Sequence, residues 1–177
     1  MLIKAYNPEW KNSFHKIANA LREVLPENGS YIEHVGSTSV EGLAAKPIID
    51  IDVVYTLQVS FEEIKHSLSK LGYFHNGDQG IPTREAFKRE RAIPEHPVLD
   101  RISHHLYVCR EDSPELARHL AFRNQLRRSE KTRLEYEEIK RALADETGQD
   151  RERYAELKED RARAFILNAI EEYRSNA

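Results

Sequence analysis

The 177-residue chain has a formal net charge of −3, with 40% hydrophobic and 32% charged residues. That is enough apolar surface for a packed core, so disorder is excluded, and too little positive excess for bulk attraction to nucleic acid or an anionic membrane. The single cysteine, Cys109, excludes an internal disulfide framework. With no long apolar run and a polar start, the chain reads as a cytoplasmic protein. It is expected to form one domain over 1–177, with a sheet-containing core at 1–110 and a helical extension at 111–177.

Pro8 opens a helix over 8–25, with Trp10, Phe14, Ile17, Leu21 and Leu25 at helical spacing. The YIEHV segment is a short strand leading into the turn Gly36-Ser37-Thr38-Ser39. Ser39 is expected to cap a short helix over 40–45, in which Gly42 permits close backbone approach. Residues 48–54, IIDIDVV, form a strand by β-branching and length. Ser60 and Glu63 make a capping box that opens a helix to about Leu71. A strand at about 72–75 precedes GDQGIPTREAFKRE, which reads as a turn and a short polar strand. ISHHLYVC, 102–109, is a further strand. Ser113 caps and Pro114 starts a helix to about Arg128, and two more helices follow at about 130–146 and 151–173. The fold class is therefore mixed α and β, with strands confined to the first two thirds.

Residues two apart in a strand point the same way, so Asp50 and Asp52 share one face. Carboxylates held this close repel unless a cation, a proton or a positive side chain intervenes. Hard oxygen ligands suit Mg²⁺ or Mn²⁺; a solvated edge face would show the same letters. The turn Gly36–Ser39 just upstream offers backbone N–H groups and three hydroxyls, a small anion cradle ahead of the acidic strand.

EHVGSTSVEGLAAKPIIDIDV, residues 33–53, closely resembles the signature of the GrpB-like proteins, a family related to nucleotidyltransferases. The likeness continues in GIPTREAF (80–87), HHLYV (104–108), HLAFRNQLR (119–127) and the pairs Tyr136/Lys140 and Tyr154/Lys158. The resemblance implies a nucleotidyltransferase fold of the DNA-polymerase-β type, a small mixed sheet flanked by helices. It also implies that Gly36 and Ser37 form a phosphate-contacting turn and that Asp50 and Asp52 bind divalent metal. Active members of that fold usually bring a third acidic residue from a neighbouring strand. RISHHLYV has none in its body, so His105 is the candidate for that position, as base or as third metal ligand beside Asp50 and Asp52.

Phosphates need further cationic partners. REAFKRER offers Arg84, Lys88, Arg89 and Arg91, with Arg84 preferred because it follows the GIPT turn. Lys46 lies between turn and acidic strand, and Lys158 would reach the phosphates if its helix crosses the sheet mouth. His34 is either near the ligand or structural. Together these residues read as a metal-dependent transferase moving a nucleoside monophosphate from an NTP to a small-molecule or protein acceptor. Two other readings stay open: a nucleotide or phospho-ligand binding module without turnover, and a His/Asp/Asp metal-dependent hydrolase.

Overall fold

The computed structural model describes residues 1–90 and 95–176, with residue 159 described by its backbone alone. Arg91 lies outside the described residues. Five strands form one sheet: β1 (Ser30–Val35), β2 (Ile49–Tyr55), β3 (Tyr73–His75), β4 (Arg84–Arg89) and β5 (His104–Arg110). Their order is β1-β2-β5-β4-β3. Among the described residues only β2 and β5 pair in parallel. β2 and β5 therefore lie side by side as inner strands, and the acidic strand has a paired neighbour on each flank.

One face of this sheet is apolar. Ile49, Ile51 and Val53 of β2 join Leu106 and Val108 of β5 against helix α1 (Glu9–Arg22) and helix α2 (Phe61–Ser69). α1 ends at Arg22, yet Leu25 stays in the core, and its N still donates to Leu21 O at 3.0 Å. The capping box of α2 forms as expected: Glu63 N donates to Ser60 Oγ at 3.3 Å and Ser60 N to Glu63 Oε2 at 2.9 Å.

The other face carries Asp50, Asp52 and Val54, and helix α3 (Pro114–Arg128) lies across it. Ser113 caps α3 by accepting from Leu116 N at 3.3 Å, and its Oγ donates to Thr83 O at 2.9 Å, which ties the helix start to the turn before β4. Helices α4 (Glu130–Glu146) and α5 (Arg151–Ser175) complete this layer. They meet residues 40–45 in two apolar clusters, Val40 and Leu43 with Leu126, Tyr136 and Ala162, and Ala44 with Ile3, Leu143 and Tyr154.

The short helix expected over 40–45 is absent. A 3₁₀ turn occupies Ser37–Ser39, and Ser39 Oγ donates back to Gly36 O at 2.6 Å instead of capping forward. Ala45 exchanges both backbone bonds with Lys4 at 2.9 Å, and Ala44 N donates to Glu137 Oε2 at 2.8 Å. Those distant partners satisfy the amides that a helix would have used. Gly42 serves its positive φ of 78°, not a close approach, since a Cβ there would meet only Arg133 Nε at 3.7 Å. No described helix is long and apolar enough to cross a membrane.

Leu106 sits in the middle strand of the sheet at 1% exposure. Leu106→Ala is expected to lower unfolding free energy by about 2–5 kcal/mol, read as a fall in the urea midpoint at unchanged slope.

Candidate functional site

The parallel register sets Asp50 opposite His105 and Asp52 opposite Tyr107. His105 Nδ1 lies 2.9 Å from Asp50 Oδ1. A carboxylate only accepts, so Nδ1 donates, and the side chain is 52% exposed. His105 therefore reaches Asp50, one of the two aspartates beside which it was expected. The place opposite Asp52 belongs to Tyr107, whose hydroxyl is pushed up to about 12 by burial and by the Asp50 charge.

Asp52 is fully buried. Its Oδ2 accepts from His119 Nδ1 at 2.7 Å, and His119 Nε2 lies 3.1 Å from Glu115 Oε1. Glu115 in turn accepts two bonds from Arg118, both at 2.8 Å. Burial opposes charge on His119, but the bonds to Asp52 and Glu115 outweigh it and raise the imidazole to about 9. Burial likewise opposes charge on Glu115, yet His119 and Arg118 hold it down to about 2. Four residues further along α3, Arg123 Nη1 meets Glu33 Oε2 of β1 at 2.6 Å and His34 O at 2.9 Å. Glu115, His119 and Arg123 thus line one helix face, four apart, and seat it on the acidic side of the sheet.

A cavity of about 170 Å³ opens beside these groups, lined by Gly36, Ser37, Asp50, Arg118, Arg123 and Lys158 among others. Gly36 adopts φ 68°, and a Cβ there would lie 2.2 Å from Asp50 Oδ2, so the turn and the carboxylate are packed directly together. Behind the turn, Lys140 is buried and donates to Ser37 Oγ at 3.2 Å and to Ala44 O, with its ammonium 4.8 Å from the Tyr136 ring centre. Because Ser37 Oγ accepts from Lys140, its own hydrogen is available to an anion in the cavity. Burial, reinforced by the charge of Lys158, pushes Lys140 down to about 7.

Of the residues singled out by sequence, Gly36, Ser37, Asp50 and Lys158 meet at this cavity, with His105 bonded to Asp50 and Asp52 held behind it by His119. The others are placed elsewhere. Thr38 is buried, its hydroxyl donating to Ile48 O at 3.3 Å and bonded to His34 Nε2 at 3.1 Å. His34 is structural, stacked on Phe14 at 4.5 Å and lowered to about 4 by burial. Ser39 lines a separate cleft with Thr38 and Arg127, and Arg127 holds its carbonyl at 2.8 Å. Lys46 sits over the Tyr154 ring at 4.1 Å and is lowered to about 8 by burial and by Lys158. Arg84 is buried with its guanidinium 4.2 Å from the Tyr107 ring centre and its Nε without a partner.

Sequence reasoning gave no site role to Glu115, Arg118, His119 or Lys140, although His119 and Lys140 fall in the stretches that carry the family likeness. The spacing of Glu115, His119 and Arg123 was a usable signal, because α3 lacks a clean apolar stripe and must bury polar groups.

Asp52 Oδ1 is sealed from solvent with no hydrogen-bond partner. An acceptor left so costs about 1–3 kcal/mol, and more when charged. The hard oxygens Asp50 Oδ2 and Asp52 Oδ1 suit a small divalent cation, which would satisfy that orphan. Among the described residues no group of three or more His, Cys, Asp or Glu stands ready to hold an ion, and His105 as placed is bonded to Asp50.

A family model described as GrpB protein matches residues 1–168. A UPF0157 protein of Halalkalibacterium halodurans is 35% identical over 153 residues, covering 86% of this chain and 74% of its own length. The crystal structure of conserved protein GrpB from Enterococcus faecalis matches at TM-score 0.76 and 30% identity, over 97% of this chain and 98% of that one. A looser likeness joins 71% of this chain to 42% of the MgGTP-bound Cid1 poly(U) polymerase, at 14% identity and TM-score 0.43.

Two substitutions check this geometry. Gly36→Ala is expected to cost about 1–3 kcal/mol through its positive φ, with a further penalty from the contact with Asp50, measured by urea unfolding. Lys140→Met tests the buried amine. Its folded value of about 7 lies below the unfolded 10.5, so wild-type stability is lost as pH falls from 10.5 toward 7 and recovered as pH rises. The stability of wild type relative to Lys140→Met is therefore expected to climb between pH 7 and 10, followed by denaturant titration at each pH.

Proposed function

The chain belongs to the GrpB family, and from its site we propose that it is a metal-dependent nucleotidyltransferase-like protein. It would transfer a nucleoside monophosphate from an NTP to a small-molecule or protein acceptor, with neither nucleic acid nor membrane as its partner. The observation that carries this reading is the pair of same-face aspartates, one with a sealed and unpartnered oxygen, beside a cavity lined by Gly36, Ser37, Lys158, Arg118 and Arg123. A bound Mg²⁺ or Mn²⁺ would neutralise phosphate charge next to the acceptor.

Asp50 Oδ2 and Asp52 Oδ1 are the oxygens that would hold the ion. Ser37 donates its hydroxyl to a phosphate oxygen, oriented by Lys140 from behind. Lys158, Arg118 and Arg123 supply positive charge along the cavity wall. His105 accepts the acceptor's proton at Nε2, while Asp50 fixes the ring through Nδ1. The acceptor oxygen then bonds to the α-phosphorus, the bond to the bridging oxygen breaks, and pyrophosphate leaves. The chain's contribution is positioning and charge stabilisation.

One observation favours a binding module without turnover as a second reading: Tyr107, not an acid, stands opposite Asp52. Pyrophosphate release in the presence of candidate acceptors separates the two readings.

Calorimetric titration of each NTP with Mg²⁺, Mn²⁺ or EDTA tests the shared ground. Binding is expected only with metal, and replacing both aspartates by asparagine is expected to weaken it at least about tenfold, roughly 1.4 kcal/mol. Affinity indifferent to metal and to both substitutions would overturn the proposal.

A further inference from the structure

We propose that this site takes a single divalent cation, because His119, fixed by Glu115, occupies the flank of Asp52 that a second ion would need. The inference rests on the metal-binding reading given above and goes beyond it in setting the number of ions and naming the residue that limits it.

A two-ion site clamps its substrate between cations about 3.5–4 Å apart, and a carboxylate that spans two such ions offers an oxygen to each. Neither Asp50 nor Asp52 has both oxygens free. Asp50 Oδ1 accepts from His105 at 2.9 Å, which leaves Oδ2 against Gly36. Asp52 Oδ2 accepts from His119 at 2.7 Å, which leaves the sealed Oδ1. One oxygen of each carboxylate remains, a set for one ion.

The two histidines differ in how firmly they are held. His105 has a side chain 52% exposed and can swing into solvent. His119 has a side chain 17% exposed and is gripped at both nitrogens, since its Nε2 meets Glu115 Oε1 at 3.1 Å. Arg118 locks Glu115 with two bonds of 2.8 Å. With a carboxylate at each nitrogen, the ring is held on both sides and stays beside Asp52. Tyr107 opposite Asp52 offers no carboxylate to rebuild that position. His119 and Glu115 are therefore positioning residues: they fix Asp52 and close one of its oxygens.

The test counts ions directly. Mn²⁺ is titrated into the full chain, alone and with a saturating α,β-methylene NTP analogue, and followed by electron paramagnetic resonance. Loss of the free-ion signal gives the protein-bound count without nucleotide, and a spin-coupled spectrum marks two adjacent ions in either condition. The expected result is one Mn²⁺ per chain and no coupled spectrum. A coupled pair in wild type would overturn this inference while leaving the proposed metal site standing. No bound Mn²⁺ in either condition would overturn both.

His119→Ala, shown folded by circular dichroism, is expected to admit a second Mn²⁺ and gain the coupled spectrum. Glu115→Gln, which keeps an acceptor for His119 Nε2, is expected to stay at one. A folded His119→Ala protein that still binds one ion overturns the assignment to His119. Should that variant not fold, the wild-type count and spectrum decide.

Discussion

Two carboxylates pointing to the same side of an inner strand need positive charge brought to them, and helix α3 is where this protein obtains it. The desolvation penalty of an ion in a protein interior is several kcal/mol, repaid only when geometry and hydrogen bonding are good. Asp52 is fully buried and accepts from His119 at 2.7 Å, and Glu33 on the same face accepts from Arg123 at 2.6 Å. The position of α3 follows from these bonds. A shift by one residue would turn Glu115, His119 and Arg123 away from the sheet by about 100° and leave Asp52 and Glu33 without them. The cavity walls follow in turn, because Arg118, His119 and Arg123 of α3 form one side, while Tyr136 of α4 and Lys158 of α5 close it.

The positive charge around the Gly36 turn is arranged on different terms. Lys140 is buried with a hydroxyl, a carbonyl and an aromatic ring as neighbours, and no carboxylate is bonded to it. Burial and the nearby Lys158 make its neutral form accessible near neutral pH. A neutral amine still donates to Ser37, so the turn is oriented without placing a second full charge beside Lys158. Of the lysines around this turn, Lys158 is the one that lines the cavity. Of the two Tyr–Lys pairs on the helices, Tyr136 keeps its own Lys140, whereas Tyr154 carries Lys46 from another segment and so leaves Lys158 turned inward.

Local rules in the sequence were enough for much of this. Strict alternation in IDIDV placed both aspartates on one face, and the same rule put His105 and Tyr107 together on β5. Ser60 with Glu63 and Ser113 with Pro114 marked helix starts because a cap is satisfied within four residues. What failed depended on distant partners. Residues 40–45 have helix-compatible letters, but their amides are taken by Lys4 and Glu137, and nothing nearby in the chain signals that. Thr38 and Ser39 looked like cradle hydroxyls beside Ser37; a 3₁₀ turn splays successive side chains, so only Ser37 reaches the cavity. His119 was passed over because a polar residue on a helix is by default assigned to solvent. The default breaks where the opposing surface is acidic.

A histidine beside the first aspartate alters what the strand pair can do. A carboxylate opposite Asp50 would add negative charge and call for further cations. His105 instead donates to Asp50 Oδ1 and adds none. On this face Asp50, Asp52, Glu33 and Glu115 lie among His119, Arg118 and Arg123 of α3, with Arg84 against Tyr107 and Lys158 on the cavity wall, so the acidic strand is met by the protein's own cations from α3, α5 and β4. Gly36 must stay small on this crowded face, because Asp50 Oδ2 lies where a Cβ would stand.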